Sequence, residues 1–275
     1  MKISVLMSVY KSENPAYLNR SLQSVWDDQT LRPDEIVLIK DGPLGDGLNR
    51  VIDNWQEKLV DRLVVLTNET NLGLTKSLNK GLKVVKGEYI ARMDSDDIST
   101  PNRFRLQAEY LDSHPDIAVV GGSLQEFDDE HECLNIRHYP LTNEDAKSTI
   151  HKANPLAHST VMIRRTVFDE GHHYDERYRK NQDLALWFTL LSDGYKISNM
   201  PQVLVNFRRS DDVFTRRSSK SAQLELQIYF RGIYKLYGVF TPKYIFPLIR
   251  FTFRFMPKSL VKKIYGSKLR NKMTN

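Results

Sequence analysis

Residues 89–97 read Tyr89-Ile90-Ala91-Arg92-Met93-Asp94-Ser95-Asp96-Asp97. The first five residues are mostly apolar and predict a buried strand, which leads directly into three carboxylates within four positions. Carboxylates so close together repel one another unless a cation lies beside them, and hard divalent cations prefer oxygen ligands. A solvated acidic turn before a helix that starts at Ser99-Thr100-Pro101 is the alternative. The segment therefore predicts a strand that ends in either a cation site or an acidic turn.

The first half of the chain alternates strand and helix patterns. Apolar runs predict strands, and apolar residues at intervals of three and four predict helices, with Asn14-Pro15 as a helix start. The predicted strands cover 3–9, 35–39, 63–66 and 89–93, and the predicted helices begin after Asn14 and cover 48–58 and 75–85. This alternation predicts a mainly parallel sheet in which ligands bind beyond the carboxyl ends of the strands. The turns at 8–10, 41–42 and 94–97 should gather at that edge.

The second half has a less regular pattern. It predicts helices over 102–113 and 183–192, strands over 117–122 and 159–164, a polar loop over 128–140 and a charged segment over 206–220. Together the two halves predict one α/β fold with a mostly parallel sheet flanked by helices.

Composition limits the class of protein. The chain has 275 residues, of which 40% are hydrophobic and 27% charged, as in ordinary globular proteins. The single cysteine, Cys133, excludes an intramolecular disulfide and fits a reducing compartment. The apolar run at 3–9 is too short for a secretory signal, and no apolar segment approaches the roughly 20 residues that span a bilayer. We therefore expect a cytoplasmic location.

Charge is distributed unevenly along the chain. The formal net charge is +6, but residues 226–275 contain 11 Lys and Arg and no Asp or Glu, so the remainder carries −5. Such a division predicts a polyanionic partner for the tail, either a membrane or nucleic acid. The tail also places apolar side chains three or four residues apart among its cations. Pro247 and Pro257 should divide it into short helices that suit a membrane interface; packing against the body with a solvated basic face is the alternative.

The chain has neither Gly-x-Gly-x-x-Gly nor Gly-x-x-x-x-Gly-Lys, the glycine-rich loops that hold phosphates. A nucleotide diphosphate would therefore need another partner. A metal bound to Asp96 would neutralise the phosphates and stabilise them as a leaving group.

An ordered series of segments resembles the family 2 glycosyltransferases. The matching segments are Ile3–Tyr10 with Glu13, Ser21–Val25, Gln29-Thr30, Asp34–Gly42, Asn71–Leu74, Asn79–Gly81 and Gly87–Asp97. The resemblance covers about the first 120 residues and implies a GT-A (Rossmann-like) fold, a nucleotide-sugar donor and inversion at the anomeric carbon. It is closest to bacterial enzymes of O-antigen (lipopolysaccharide) and exopolysaccharide assembly, some of which extend a sugar on a polyprenyl diphosphate.

The resemblance implies roles for residues at the strand ends. It places Ser8 and Tyr10 in the base pocket, Asp41 at the base or ribose, Asp94 at the ribose or a metal-bound water, and Asp96 on Mn²⁺ or Mg²⁺. Tyr10 could instead be a core aromatic, and Asp41 could form an Asx turn before Gly42-Pro43.

The resemblance also implies a catalytic base at the start of a helix in the second half. Asp183 matches this position, although Gln182 replaces the usual Glu, and a helix N-cap is the alternative role for Asp183. His158 matches an acceptor-site position but could be a structural histidine. The arginines of the charged segment could bind the diphosphates or remain solvated; they are Arg208, Arg209, Arg216 and Arg217. Asp97 is expected to be solvated or to cap a helix.

These inferences predict a catalytic domain over 1–218, with a nucleotide-sugar half (1–120) and an acceptor and base half (121–218). A basic helical tail over 219–275 would bind the anionic inner face of the plasma membrane. The predicted activity is transfer of one hexose, from a UDP-sugar, to a saccharide on a polyprenyl diphosphate. Processive relatives contain Gln-x-x-Arg-Trp, and none of the three tryptophans here follows an arginine. The alternatives are a sugar nucleotidyltransferase or a non-catalytic protein that binds lipid or nucleic acid; we expect no nucleic-acid partner.

Overall fold

The computed structural model describes residues 2–209 and 219–255. Strands and helices alternate through the first half of the chain, as predicted. This half contains β1 (Ile3–Val9), α1 (Pro15–Trp26), β2 (Glu35–Lys40), α2 (Asp46–Leu59), β3 (Leu63–Thr67), α3 (Leu74–Leu82), β4 (Tyr89–Asp94), β5 (Ile98–Ser99) and α4 (Arg103–Ser113). The predicted cap at Asn14 is present, since its side-chain oxygen accepts a hydrogen bond of 2.8 Å from Ala16 N.

The second half adds strands of both directions and the C-terminal helices. It contains β6 (Ile117–Phe127), β7 (Asn135–Arg137), α5 (Asn143–Thr149), β8 (Met162–Arg164), α6 (Arg165–Asp169), α7 (Gln182–Ser192), β9 (Lys196–Arg208), α8 (Ser219–Tyr237) and α9 (Ile245–Phe255). Two predictions were incomplete. The loop predicted over 128–140 contains β7, and the segment expected to be only charged begins inside β9, at Asn206–Arg208.

The described residues form one nine-stranded mixed sheet in the order β3-β2-β1-β4-β8-β6-β9-β5, with β7 paired to β6. Strands β1 to β4 are mutually parallel, and β8 runs antiparallel between β4 and β6. The long parallel pairing of β6 with β9 shifts register near Gly122 and Ser123. The carboxyl ends of β1, β2 and β4 therefore lie together, as predicted.

Two apolar clusters cover the two faces of the sheet. Alternate residues of one strand point to opposite faces, so Val5 and Met7 of β1 join one cluster and Leu6 joins the other. Helices α1, α2 and α4 contribute to the first cluster, and α3 and α5–α8 to the second. Burial on both faces explains the nearly continuous apolar character of these strands.

The helical C-terminal region is interrupted at Gly238, before the breaks predicted at Pro247 and Pro257. Helix α8 ends at Tyr237, and Gly238 adopts φ +81° in the turn that leads to α9. Pro247 lies in the first turn of α9, where a missing N–H is tolerated, so it does not interrupt the helix. Pro257, Lys258 and Lys262 lie outside the described residues. None of the helices in the described parts of the chain is long and apolar enough to cross a membrane.

Candidate active site

Three of the residues predicted to bind the nucleotide sugar share one edge of the sheet. Ser8 of β1 is the direct strand neighbour of Asp94 at the end of β4. Tyr10 follows β1 and keeps 40% of its surface exposed, so it is not the core aromatic considered as an alternative. The structure thus brings Ser8, Tyr10 and Asp94 together at the ligand-binding edge expected for a parallel sheet.

The Asp41 carboxylate, after β2, organises the loop that precedes α3. It accepts hydrogen bonds from Leu72 N (2.8 Å), Gly73 N (2.9 Å) and the Asn68 side chain (3.0 Å), and the residue is buried. These bonds fix the backbone of 68–73 beside the edge of the sheet. A hydrogen bond from a base or ribose to Asp41 stays a prediction. It would add to the three hydrogen bonds that this carboxylate already accepts from the protein.

Negative charge accumulates around the end of β4. Buried Arg92 forms a two-pronged ion pair with Asp94, two residues further along β4. Glu13 joins the cluster from the turn after β1, because Ser95 Oγ donates a 2.8 Å hydrogen bond to its carboxylate. Burial, followed by the charges of Asp94 and Glu13, raises the pKa of Asp96 to about 7. One arginine is therefore insufficient to balance the carboxylates at this position.

The prediction that Asp97 is solvated or caps a helix was wrong. It is fully buried, one of its oxygens accepts a 2.9 Å hydrogen bond from Arg208 N, and the other lies buried without a protein partner. Burial and the charges of Asp94 and Asp96 raise its pKa well above the ordinary value. Asp97 thus joins the β4–β5 turn to the end of β9. Two residues further along, Ser99 belongs to β5, and the following helix begins only at Arg103.

Arg208 braces the same turn with its side chain. Its Nε donates to Asp96 O (3.2 Å), and its Nη1 forms an ion pair of 2.5 Å with Asp129. The guanidinium lies between two rings, 3.7 Å from the centroid of Tyr17 and 4.5 Å from that of Phe127. Tyr17 also donates its hydroxyl to Asp129. This arginine is held by protein partners and braces the turn, and its contact with a diphosphate stays a prediction.

A divalent cation fits the chemistry of this edge. Asp96 combines a raised pKa with partial exposure, and the cluster supplies hard oxygen donors. Within residues 2–209 and 219–255, no three Asp, Glu, His or Cys side chains are placed to bind a metal by themselves. Sites of the Mg²⁺ type use one or two carboxylates together with substrate phosphates and water.

Asp183 lies in the first turn of α7, not at its N-cap. The N-cap position is Asn181, a non-glycine residue with φ +56°, and its side chain makes no cap hydrogen bond. The Asp183 carboxylate instead accepts a 2.6 Å hydrogen bond from the Asn154 side chain. Burial raises its pKa, although hydrogen bonds from Leu184 N and Asn154 and the charge of Arg92 oppose the change. A carboxylate with a raised pKa in a fixed orientation is suited to accept a proton.

His158 lies beside the same arginine. Its Nε2 is 2.8 Å from the hydroxyl of buried Tyr174, and its ring packs edge-on against Tyr174 and Trp187. Burial and the charge of Arg92 lower the pKa of His158 well below its usual range, so the imidazole is neutral. The arrangement matches the structural alternative and leaves an acceptor contact as a prediction. Arg216 and Arg217 lie outside the described residues.

Sequence reasoning missed the partners that fix these side chains. Arg92 is the one basic residue of β4, among apolar neighbours, and its charge acts on the pKa of Asp96, Asp183 and His158. A lone arginine in a buried strand is therefore a usable signal. Asn154 and Tyr174, in contrast, lie in irregular segments with no pattern that distinguishes them.

Comparison with known proteins assigns the class. The model of the family "Glycosyl transferase family 2" matches residues 4–171, and the chain belongs to this family of glycosyltransferases. The amylovoran biosynthesis glycosyltransferase AmsE of Erwinia amylovora is 36% identical over 264 residues, covering 95% of this chain and 97% of the relative. An Escherichia coli enzyme described as UDP-Gal:alpha-D-GlcNAc-diphosphoundecaprenol beta-1,3-galactosyltransferase is 31% identical, covering 98% of this chain and 97% of the relative. The chain is thus related to enzymes of exopolysaccharide and lipid-linked saccharide synthesis.

Solved structures share the fold. Residues 1–349 of Staphylococcus aureus TarS, in complex with UDP-GlcNAc, superpose with a TM-score of 0.68 at 19% identity, covering 99% of this chain and 78% of that one. The mannosyltransferase PcManGT of Pyrobaculum calidifontis, in complex with GDP-Man and Mn²⁺, gives 0.63 at 15% identity, covering 91% and 68%. Both confirm the predicted GT-A architecture of a mostly parallel sheet flanked by helices.

Proposed function

We propose that this glycosyltransferase moves one hexose from UDP-hexose, with inversion, to a saccharide on a polyprenyl diphosphate in O-antigen or exopolysaccharide assembly. The observation that supports it most directly is the pairing of two kinds of carboxylate around Arg92. The acidic strand end suits a metal and a diphosphate, and Asp183 suits a base. The E. coli relative, whose name specifies a UDP-sugar and a diphosphoundecaprenol acceptor, supports the choice of substrates.

The donor lies along the strand ends in this proposal. The ring of Tyr10 stacks on the base, Ser8 and Asp41 offer hydrogen-bond partners, and Asp94 approaches the ribose. The ion pair with Arg92 holds the Asp94 carboxylate in one orientation. Asp96 is the proposed ligand of Mn²⁺ or Mg²⁺, which when bound would offset the charge of the departing diphosphate.

Asp183 accepts the proton of the acceptor hydroxyl. As the acceptor oxygen forms its bond to the anomeric carbon, the bond to the diphosphate oxygen breaks on the opposite face, and the proton passes to the Asp183 carboxylate. The raised pKa favours that transfer, and the Asn154 hydrogen bond keeps the carboxylate in place. His158 would donate or accept a hydrogen bond at the acceptor, with Arg216 and Arg217 as proposed partners of the diphosphates.

A donor panel against defined acceptors tests the proposal. UDP-galactose, UDP-glucose, UDP-GlcNAc and GDP-mannose are each incubated with a synthetic N-acetylhexosamine diphospho-lipid, with Mn²⁺ or with EDTA. We expect one metal-dependent addition from a UDP-hexose, with inverted anomeric configuration by NMR. Transfer from GDP-mannose alone would refute the donor, and retention of configuration would refute the mechanism.

A further inference from the structure

The C-terminal helices expose an apolar surface that the catalytic site does not use. Its side chains keep between 37% and 101% of their surface in contact with solvent. We call this surface the C-terminal patch; it comprises Phe230, Tyr234, Val239, Phe240, Ile245, Leu248 and Ile249. Single exposed apolar residues are ordinary, but a group of seven within twenty residues indicates a binding surface.

Helix α9 has two distinct faces. Phe246 packs edge-on against His151, 4.9 Å between ring centroids, but keeps 40% of its surface exposed, and the adjacent Pro247 is buried. Ile245, Leu248 and Ile249 have the i, i+3, i+4 spacing of one helix face, and all three are exposed. The helix is therefore fixed to the body by one face and presents the other outward.

Helix α8 continues the exposed surface. Buried Gly232 and Ile233 face the body, where Gly232 approaches the Phe188 ring of α7. Phe230 and Tyr234 are one helical turn apart and exposed, and the Phe230 ring lies 5.1 Å from that of Tyr244, just before α9. Phe240 is fully exposed in the turn that connects the two helices. The patch thus draws exposed side chains from α8, the turn and α9.

Cations border the patch, although Arg231 and Lys235 also line a cleft that contains Asp175. Arg231 and Lys235 are exposed one residue beyond Phe230 and Tyr234, and Lys243 lies in the turn before α9. Residues 226–255 contain no Asp or Glu, and the preceding Glu225 pairs with Arg250. Two copies of such a surface would repel each other, so its charge favours an anionic partner over self-association.

We propose that the C-terminal patch docks on an anionic phospholipid bilayer, with Phe240 and the exposed face of α9 in the interface and the cations at lipid headgroups. Aromatic and aliphatic side chains bordered by Lys and Arg are the composition of interfacial helices. The biological purpose of docking rests on the proposed function, since a polyprenyl-linked acceptor lies in such a membrane. The patch locates the membrane contact predicted for the tail on exposed apolar side chains of α8, α9 and the turn between them.

Vesicle co-sedimentation of the full-length chain tests the docking. Vesicles of phosphatidylglycerol and phosphatidylcholine should bind the protein at low salt, and pure phosphatidylcholine should bind it weakly. The double variant Phe240→Ser, Leu248→Ser should bind anionic vesicles about tenfold less or weaker still. Ile136→Ser removes a side chain of β7 that is also 40% exposed, and it should bind like the wild type. Equal binding by the double variant would refute the patch.

Two further readouts separate the alternatives. In Phe240→Trp, the added fluorophore should shift to shorter wavelength with anionic vesicles; an unchanged spectrum in bound protein would refute insertion. Concentration-dependent dimers in sedimentation velocity that vanish in the double variant would identify a second copy as the partner and overturn the proposal. The double variant should still transfer sugar to a water-soluble short-chain acceptor. A further outcome is that the wild type binds vesicles and yet transfers no sugar, either to the water-soluble acceptor or to the N-acetylhexosamine diphospho-lipid. In that case the proposed function fails and the docking stands.

Discussion

Cation binding needs an ionised Asp96 carboxylate, whereas the stability of the fold favours the protonated carboxyl. Burial and neighbouring carboxylates raise the pKa of Asp96 from 3.8 to about 7, so the folded protein holds a proton there that the unfolded chain releases. The protonated form therefore contributes stability below about pH 4, and this contribution is lost as pH rises towards 7. Such opposition is typical of sites where ionised groups are kept close together for function.

This linkage predicts a pH-dependent effect of removing the carboxylate. Without metal at pH 8, Asp96→Asn should melt at the same temperature as the wild type or a few degrees higher. For a domain of this size, each kcal/mol of added stability raises the melting temperature by roughly 2–4 °C. The difference should shrink at pH 5, where the wild-type carboxyl is protonated. Melting curves across this pH range check it; a variant that melts lower at pH 8 would contradict the assigned charge imbalance.

The same substitution should eliminate metal-dependent donor binding. Asp96→Asn is expected to lower Mn²⁺-dependent UDP affinity and sugar transfer by about 100-fold or more, since a neutral amide is a poor ligand for a hard cation. Calorimetric titration of UDP with and without Mn²⁺ measures the effect. Asp116→Asn, which removes only a surface ion pair with Lys196, is the control. Undiminished Mn²⁺-dependent affinity in Asp96→Asn would eliminate Asp96 as the ligand.

For Asp183 the expected loss is in turnover, not in donor binding. Asp183→Asn should lower kcat by roughly 10²–10⁴-fold, the usual contribution of a general base, and change the KM for the donor little. Steady-state kinetics at saturating acceptor separate the two constants. Asp193→Asn changes a carboxylate at the other end of α7 and should be near normal. A collapse of donor affinity with turnover preserved would make Asp183 a binding residue.

At the scale of elements, local signals identified most of the fold. Asn14-Pro15 begins α1 where capping chemistry predicts, and the apolar strands β1 to β4 lie within about one residue of their predicted ends. Strand β9 was missed because Pro201 and the register shifts of its pairing with β6 interrupt any regular alternation. Its pairing is decided by a strand some eighty residues away, which no local pattern encodes.

The loop before α3 depends on one glycine. Gly73 adopts φ +88° and ψ 162°, a region accessible in practice only to glycine, while its N–H donates to Asp41. Gly73→Ala should therefore lower the free energy of unfolding by about 1–3 kcal/mol and weaken UDP binding. Urea denaturation and nucleotide titration provide the measurements. Gly45→Ala, at a site with ordinary φ and open space, should be nearly neutral. Equal stability of the two variants would contradict the strain at Gly73.

At the scale of the molecule, the site is assembled from both halves of the chain. The strand ends and the acidic motif could be predicted, because parallel topology alone brings them together. The supports could not: Arg208 contacts Asp96 across 112 positions, and Asn154, in an irregular segment, contacts Asp183 in the first turn of α7. The Arg208 contact follows from the packing of β9 beside β6, so it becomes visible only in three dimensions.

Arg208, at the end of β9 in the second half of the chain, contacts Asp96 in the first half. We expect it to affect cation binding without contacting the cation. It combines a planar fork toward Asp96 O and Asp129 with stacking between Tyr17 and Phe127, which the lysine side chain cannot reproduce. Arg208→Lys should lower Mn²⁺-dependent UDP affinity about 10- to 100-fold, as expected when the support of a ligand is lost.

Titration of Mn²⁺ at fixed UDP, together with melting temperature, distinguishes positioning from simple stabilisation. Arg137→Lys keeps its charge beside Glu126 on exposed β7 and should leave Mn²⁺ affinity unchanged. If Arg208→Lys lowers the melting temperature but leaves Mn²⁺ affinity intact, Arg208 only stabilises the fold. A loss of Mn²⁺ affinity with the melting temperature maintained would show that the end of β9 sets the geometry of the β4–β5 turn, and with it the position of Asp96.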